Sequence, residues 1–238
     1  MITTLPTLKI LPIDSVILHE DHDMQRSLPL IEKLRAAGIM RNPPIVMPLP
    51  DGSNRYMVLD GANRVTSLME MEFPHIVAQV VQPNDPYVNL QTWNHIVWGM
   101  NSKTLMSALK KIKGTKLVKV NYKKSMDAPK YMPVNIRLPD GTLYLLVEEP
   151  ADLPSHIKTL HAIVDSYKTR ASLDRTSQTL IDTFRNIHKD LTALVIFPHF
   201  KIRTLLKLAG QQVVLPTGIT RFRSEERRVG KECRSRWS

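Results

Sequence analysis

Cysteine is almost absent from this chain of 238 residues: the single one, Cys233, lies near the end. Residues 1–222 therefore offer no thiol nucleophile, no disulfide and no cysteine-ligated metal. Long apolar runs are missing too, none approaching the ~18 residues of a membrane span. The opening Met1, Ile2, Thr3 and Thr4 lacks the basic-then-apolar layout of a secretory signal. A cytoplasmic protein with no membrane partner is expected. Aromatic residues are only 6% of the chain. The basic stretch of Lys110, Lys111 and Lys113, with Lys116, Lys119, Lys123 and Lys124 nearby, has no interleaved rings and so makes a poor single-strand nucleic-acid platform. It reads as a solvated face, and nucleic acid is not expected as a partner.

Hydrophobic and charged fractions of 42% and 23% are those of an ordinary globular protein. Residues 223–238 show neither apolar periodicity nor turn chemistry, and they resemble the translation of a short-read sequencing adapter. A non-native tail replacing the natural C-terminus is expected there. That segment holds six Lys or Arg against three Glu, so it supplies +3 of the net charge of +11 and leaves +8 to the rest. A net +8 suits an anionic ligand such as a nucleotide, and equally a solvated basic surface.

Along the chain, residues 8–12 read as a strand, and residues 18–28 as an acidic, His-bearing loop. Residues 29–37 read as a helix stopped by Gly38. Residues 45–47 and 56–59 form an expected hairpin around Asp51 and Gly52. A helix over 65–72 and a buried strand over 76–81 follow. Helices are expected over 91–100 and 103–113, and a small sheet over 117–120, 134–138 and 142–147, with Asp140 and Gly141 turning the last hairpin. Helices over 154–168, 177–190 and 202–209, a strand over 193–197 and extended chain over 213–220 complete the reading. The fold class is α/β (α+β), with an N-terminal module over 1–96, a smaller α+β region over 97–222 packed against it to close a cleft, and the tail over 223–238.

The chemistry concentrates where the strand at 56–59 runs into Asp60, Gly61, Ala62, Asn63 and Arg64, with a helix beginning at once. Amides in a first helical turn have no intrahelical acceptor, and the helix dipole adds positive potential, so a phosphate can rest there. Gly61 permits close approach, Arg64 offers a planar fork of donors, and Asp60 could hold Mg2+ bridging phosphate oxygens. The plain alternative is an acidic turn beside a surface arginine.

Elsewhere the residues leave two readings open. Glu20, beside Asp21 and Asp23, reads first as a solvated carboxylate. His19 and His22 flank it without a further ligand set, so no zinc site is assigned. Trp93, Ile96, Val97 and Met100 make a helical stripe suited to core packing, from which His95 could still reach phosphates. Thr220 and Arg221 follow the turn at Pro216, Thr217 and Gly218, and serve either as a strand edge or as a clamp for a carboxylate or phosphate.

Strand, D-G-x-x-R and helix in that order resemble the signature of the ParB/sulfiredoxin superfamily, whose loop receives nucleotide phosphates. Sulfiredoxins need a cysteine where Ala62 and Asn63 stand. ParB proteins add a helix-turn-helix pair that is not evident after residue 100. The chain is more similar to the free L-serine kinase family, comprising an archaeal ADP-dependent serine kinase and a bacterial siderophore-pathway serine kinase. The resemblance rests on residues 8–14 leading to Leu18, His19 and Glu20, on residues 56–64, on Thr92, Trp93, Asn94 and His95, and on residues 216–222.

That resemblance implies Glu20 as catalytic base, Asp60 as a catalytic and Mg2+-binding carboxylate, and Gly61, Ala62, Asn63, Arg64 and His95 as nucleotide-phosphate contacts. It implies Trp93, Thr220 and Arg221 as substrate contacts. The expected partners are ADP or ATP and L-serine, with oligomeric state unassigned. The alternative is a non-catalytic ParB-like protein that binds a nucleotide such as CTP, or a DNA-associated regulator.

Overall fold

The computed structural model describes residues 7–21, 24–86, 88–120, 133–148 and 152–224. His22, Asp23, Lys123, Lys124, Cys233 and all of the adapter-like segment beyond Ser224 lie outside the described residues. Two compact units divide the chain: one comprises residues 1–18, 22–91 and 221–238, the other residues 19–21 and 92–220. Among the described residues no helix is long and apolar enough to cross a membrane.

In the first unit, β1 (Leu8–Pro12), a 3-10 turn at Ile13–Ser15 and β2 (Val16–Ile17) precede α1 (Met24–Ala37), β3 (Ile45–Pro48), β4 (Tyr56–Asp60), α2 (Ala62–Glu70) and β5 (His75–Val80). The five strands form a mixed sheet in the order β1-β5-β3-β4-β2. The β3–β4 hairpin is antiparallel, whereas β2 runs parallel to β4 and β3 parallel to β5. Val65 and Leu68 of α2 bury against Val46, Val58 and Ala78, which is why the helix must start directly after β4. The expected glycine stop is present, Gly38 N–H donating to the Leu34 carbonyl at 2.9 Å with φ +61°. α1 begins earlier than expected, taking in part of the presumed acidic loop.

The strand β6 (Val88–Thr92) pairs with β13 (Thr220–Ser224) in a two-stranded ribbon lying mostly in the first unit. The second unit carries β7 (Asn94–Trp98), α3 (Ser102–Leu109), β8 (Thr115–Lys119), β9 (Val134–Arg137), β10 (Leu143–Glu148), α4 (Leu153–Asp165), β11 (Ser172–Thr176), α5 (Asp182–Arg185), β12 (Leu191–Ile196) and α6 (Ile202–Gly210). Its antiparallel sheet runs β11-β7-β12-β9-β10-β8.

Four expectations need correcting. Residues 91–100 form no helix: β7 is a strand buried on both faces, so its apolar residues show no alternation to mark it. Residues 177–190 contain only the four-residue α5, because Ile181 and Phe184 pack on Ile96 and Leu194 while Leu180 and Ile187 stay exposed. The small sheet expected over 117–147 is one half of a six-stranded sheet. The boundary after residue 96 falls inside β7, whose pairing with β11 and β12 puts the start of the second unit at Thr92.

Candidate active site

In the first unit, β4 delivers Asp60 and Gly61 caps α2 with φ +91°. A Cβ at Gly61 would stand 2.7 Å from Arg64 Nη2 and 2.9 Å from Pro44 Cβ, so both the dihedral and the space demand glycine. Val65 N–H donates to the Gly61 carbonyl at 3.0 Å and opens the helical ladder. The amides of Ala62, Asn63 and Arg64 consequently have no acceptor within α2.

Arg64 Nη2 donates to Asp60 Oδ2 at 3.1 Å, one turn back on the same loop. Its Nε is buried without a hydrogen-bond partner, a donor left over for an incoming oxygen. With Asp60 38% and Arg64 22% exposed, their ion pair contributes under about 1 kcal/mol, so it orients the guanidinium more than it stabilises the fold. Amides, guanidinium and carboxylate around one helix start can hold a phosphate and a phosphate-bound cation.

In the second unit, the three residues His19, Glu20 and Asp21 are tied to the segment around Leu215. Leu215 N–H donates to the His19 carbonyl and Asp21 N–H to the Leu215 carbonyl, each at 2.8 Å. Glu20 Oε2 accepts from Gly218 N–H at 2.7 Å, and Oε1 accepts from both the N–H and the hydroxyl of Thr220 at 2.5 Å. A carboxylate has about four acceptor sites. Three are taken here, which aims the group and leaves one lone pair for an outside donor.

His19 Nε2 lies 2.7 Å from the Thr220 hydroxyl oxygen. Since that hydroxyl donates to Glu20, it accepts from the imidazole. The charge-assisted bonds accepted by the Glu20 carboxylate contribute about 1.5–3 kcal/mol each, enough to hold it in one orientation.

The backbone N–H of Trp93 donates to the Ile219 carbonyl at 3.0 Å, and its side chain is half-buried. Thr220 belongs to the junction, serving Glu20 directly. Arg221, half-buried, begins the part of β13 assigned to the first unit; burial, then the charge of Arg223, lowers its pKa.

His95 departs from expectation. It sits on β7, fully buried, with Nδ1 2.8 Å from the Tyr167 hydroxyl and Nε2 3.0 Å from the Gly218 carbonyl. Both nitrogens are committed to protein groups, so His95 is not placed to contact phosphate.

Three residues at the junction went unnoticed in the sequence. Arg175 on β11 lies directly across from His95, and its guanidinium covers Gly218 closely enough that a Cβ there would overlap it. Tyr167 follows α4 and supports His95 from behind. His161 donates from Nε2 to the Val214 carbonyl at 2.9 Å, with Nδ1 3.4 Å from an Asp21 carboxylate oxygen. Only the cross-strand pairing of β7 and β11 brings Arg175 here, and a helix expected over 91–100 leaves no strand for β11 to pair with.

Comparison with known proteins follows the same lines. No family model matches the chain. By fold it shares the mixed α/β architecture of solved serine kinases. A free serine kinase in complex with AMP is 15% identical with a TM-score of 0.73, over 92% of this chain and 88% of that one. SbnI from Staphylococcus aureus, solved with a C-terminal truncation, has a TM-score of 0.73 at 20% identity, over 92% of this chain and 83% of that one.

In sequence, the chain is similar to two curated relatives. One is the ATP-dependent L-serine kinase of Staphylothermus marinus, 31% identical over 96 residues, which are 40% of this chain and 38% of that protein. The other is the ATP-dependent L-serine kinase SbnI of Staphylococcus aureus, 24% identical over 216 residues, 90% of this chain and 77% of the relative. The match therefore spans well under half of the first relative's length. The resemblance to the free L-serine kinases drawn from four short segments is borne out by these relatives.

Proposed function

We propose that this chain is a free L-serine kinase, transferring a phosphoryl group from ADP or ATP to the hydroxyl of L-serine to give O-phospho-L-serine. One observation carries the reading: two segments singled out by family resemblance, about 200 residues apart, meet where Gly218 and Thr220 aim the Glu20 carboxylate. In the reaction, Glu20 takes the proton from the serine hydroxyl through its remaining lone pair as that oxygen bonds to phosphorus. The α2 amides and Arg64 carry the negative charge of the donor phosphates.

Asp60 is the residue that would hold Mg2+; its partly exposed carboxylate fits an ion whose other ligands are phosphate and water oxygens, and the ion would neutralise charge on those oxygens. Among the described residues no cluster of three His, Cys, Asp or Glu forms an all-protein metal cage, which such a site does not need.

The test is incubation with L-serine, Mg2+ and either nucleotide, followed by detection of phosphoserine. Product is expected from the wild type, with a fall of about a hundredfold or more in Glu20→Gln at unchanged nucleotide affinity. Absence of phosphoserine with both donors overturns the reading.

A further inference from the structure

The mechanism uses Glu20 and the turn that aims it, yet two fully buried polar side chains behind that turn have no role in it. His95 and Tyr167 are 72 positions apart and hydrogen-bonded at 2.8 Å, inside the second unit. Neither reaches solvent. The Phe197 ring meets the imidazole edge-on at a centroid distance of 4.8 Å and the Tyr167 ring at 5.9 Å, so the ring is held between two aromatic walls.

The partners of the imidazole settle its tautomer. Gly218 presents a carbonyl, which only accepts, so Nε2 carries the proton and Nδ1 accepts from the Tyr167 hydroxyl. Burial, with Arg175 across the strand pair adding to it, lowers the His95 pKa to about 4, while burial raises that of Tyr167 well above its ordinary value. The chain Tyr167 O–H to His95 to Gly218 carbonyl therefore keeps one polarity at neutral pH.

Gly218 is the pivot of this chain. Its carbonyl is gripped from behind by His95, and its N–H donates forward to Glu20 Oε2. At φ +75° it occupies a left-handed conformation, and the Arg175 guanidinium leaves no room for a side chain. We propose that the buried Tyr167–His95 pair is a positioning device: by anchoring the Gly218 carbonyl it sets the direction of the Gly218 and Thr220 amides, and thereby the orientation of the Glu20 carboxylate.

This deepens the kinase reading and rests on it for its catalytic consequence, but the geometric part is testable without it. In the full chain, His95→Leu removes the donor to Gly218, His95→Gln places an amide N–H near the former Nε2, and Tyr167→Phe deletes one hydroxyl. His95→Leu is expected to lower kcat about ten- to a hundredfold with KM for the nucleotide within about twofold. His95→Gln should recover most of the loss, and Tyr167→Phe should fall between.

Amide hydrogen exchange at Gly218 and Thr220 should quicken in His95→Leu and Tyr167→Phe but not in His95→Gln, and it reads the anchor even if no phosphoserine forms. A wild type without kinase activity overturns the functional reading alone. Should His95→Leu not fold, Tyr167→Phe decides. Unchanged exchange, an unchanged kcat in an active enzyme, or equal losses in the Gln and Leu variants would overturn the positioning role.

Discussion

Gly61 shows what one methyl group would do at this site. Its φ of +91° disfavours any other residue, and a Cβ would press on Pro44 and on the Arg64 guanidinium. Gly61→Ala should cost about 2 kcal/mol or more in urea unfolding and also weaken nucleotide binding, since the helix start must shift to make room. His95 gives a residue-level prediction of the opposite kind, in pH. Its folded-state pKa lies near 4, below the ordinary 6.5, so between those values the unfolded chain binds a proton that the folded chain refuses. Stability is complete above pH 6.5 and falls as pH drops toward 4, by about 3 kcal/mol in all. Denaturant titrations at pH 7 and pH 5 should show this decline, and His95→Gln should lack its share of it.

At the scale of elements, α2 was legible and β7 was not, for one reason. α2 announces itself by a glycine at its start and by Val65 and Leu68 on one buried face. β7 is buried on both faces, so Ile96 and Val97 both point into apolar surroundings and mimic the stripe of a helix. The β9–β10 hairpin, by contrast, carries its own turn at Asp140 and Gly141. Because β12 lies inside the larger sheet between β7 and β9, Leu194→Ala, at a fully buried position on β12 facing Ile96 and Phe184, should destabilise by about 2–5 kcal/mol in thermal or urea unfolding. Leu180→Ala, at an exposed position, should shift stability by less than about 0.5 kcal/mol in the same measurement.

For the whole molecule, the balance of charge and the helix start in the first unit make the same prediction. With a net charge of +11, an anionic ligand is attracted over a screening distance of about 10 Å at 0.1 M salt, so nucleotide affinity should fall as NaCl is raised. ADP or ATP bound to the native state should raise the melting temperature, contributing about 2.7 kcal/mol at a hundredfold excess over Kd. A thermal-shift series with ATP, ADP and CTP also separates the two readings of the loop. Stabilisation by ATP or ADP supports a kinase, and stabilisation by CTP alone would favour a ParB-like binder.

Local order in the chain was enough to determine the strand, glycine and helix around residues 60–64, because five adjacent residues carry all of it: Asp60, Gly61 and Arg64 need no distant partner to declare their chemistry. The surroundings of Glu20 were decided only by tertiary structure. Its amide and hydroxyl donors come from Gly218 and Thr220, and behind them stand His95 and Arg175 on two paired strands and Tyr167 just after α4. Hydrogen bonds between residues that far apart leave no periodicity in the sequence, since their geometry arises when strand pairing closes the long intervening loops.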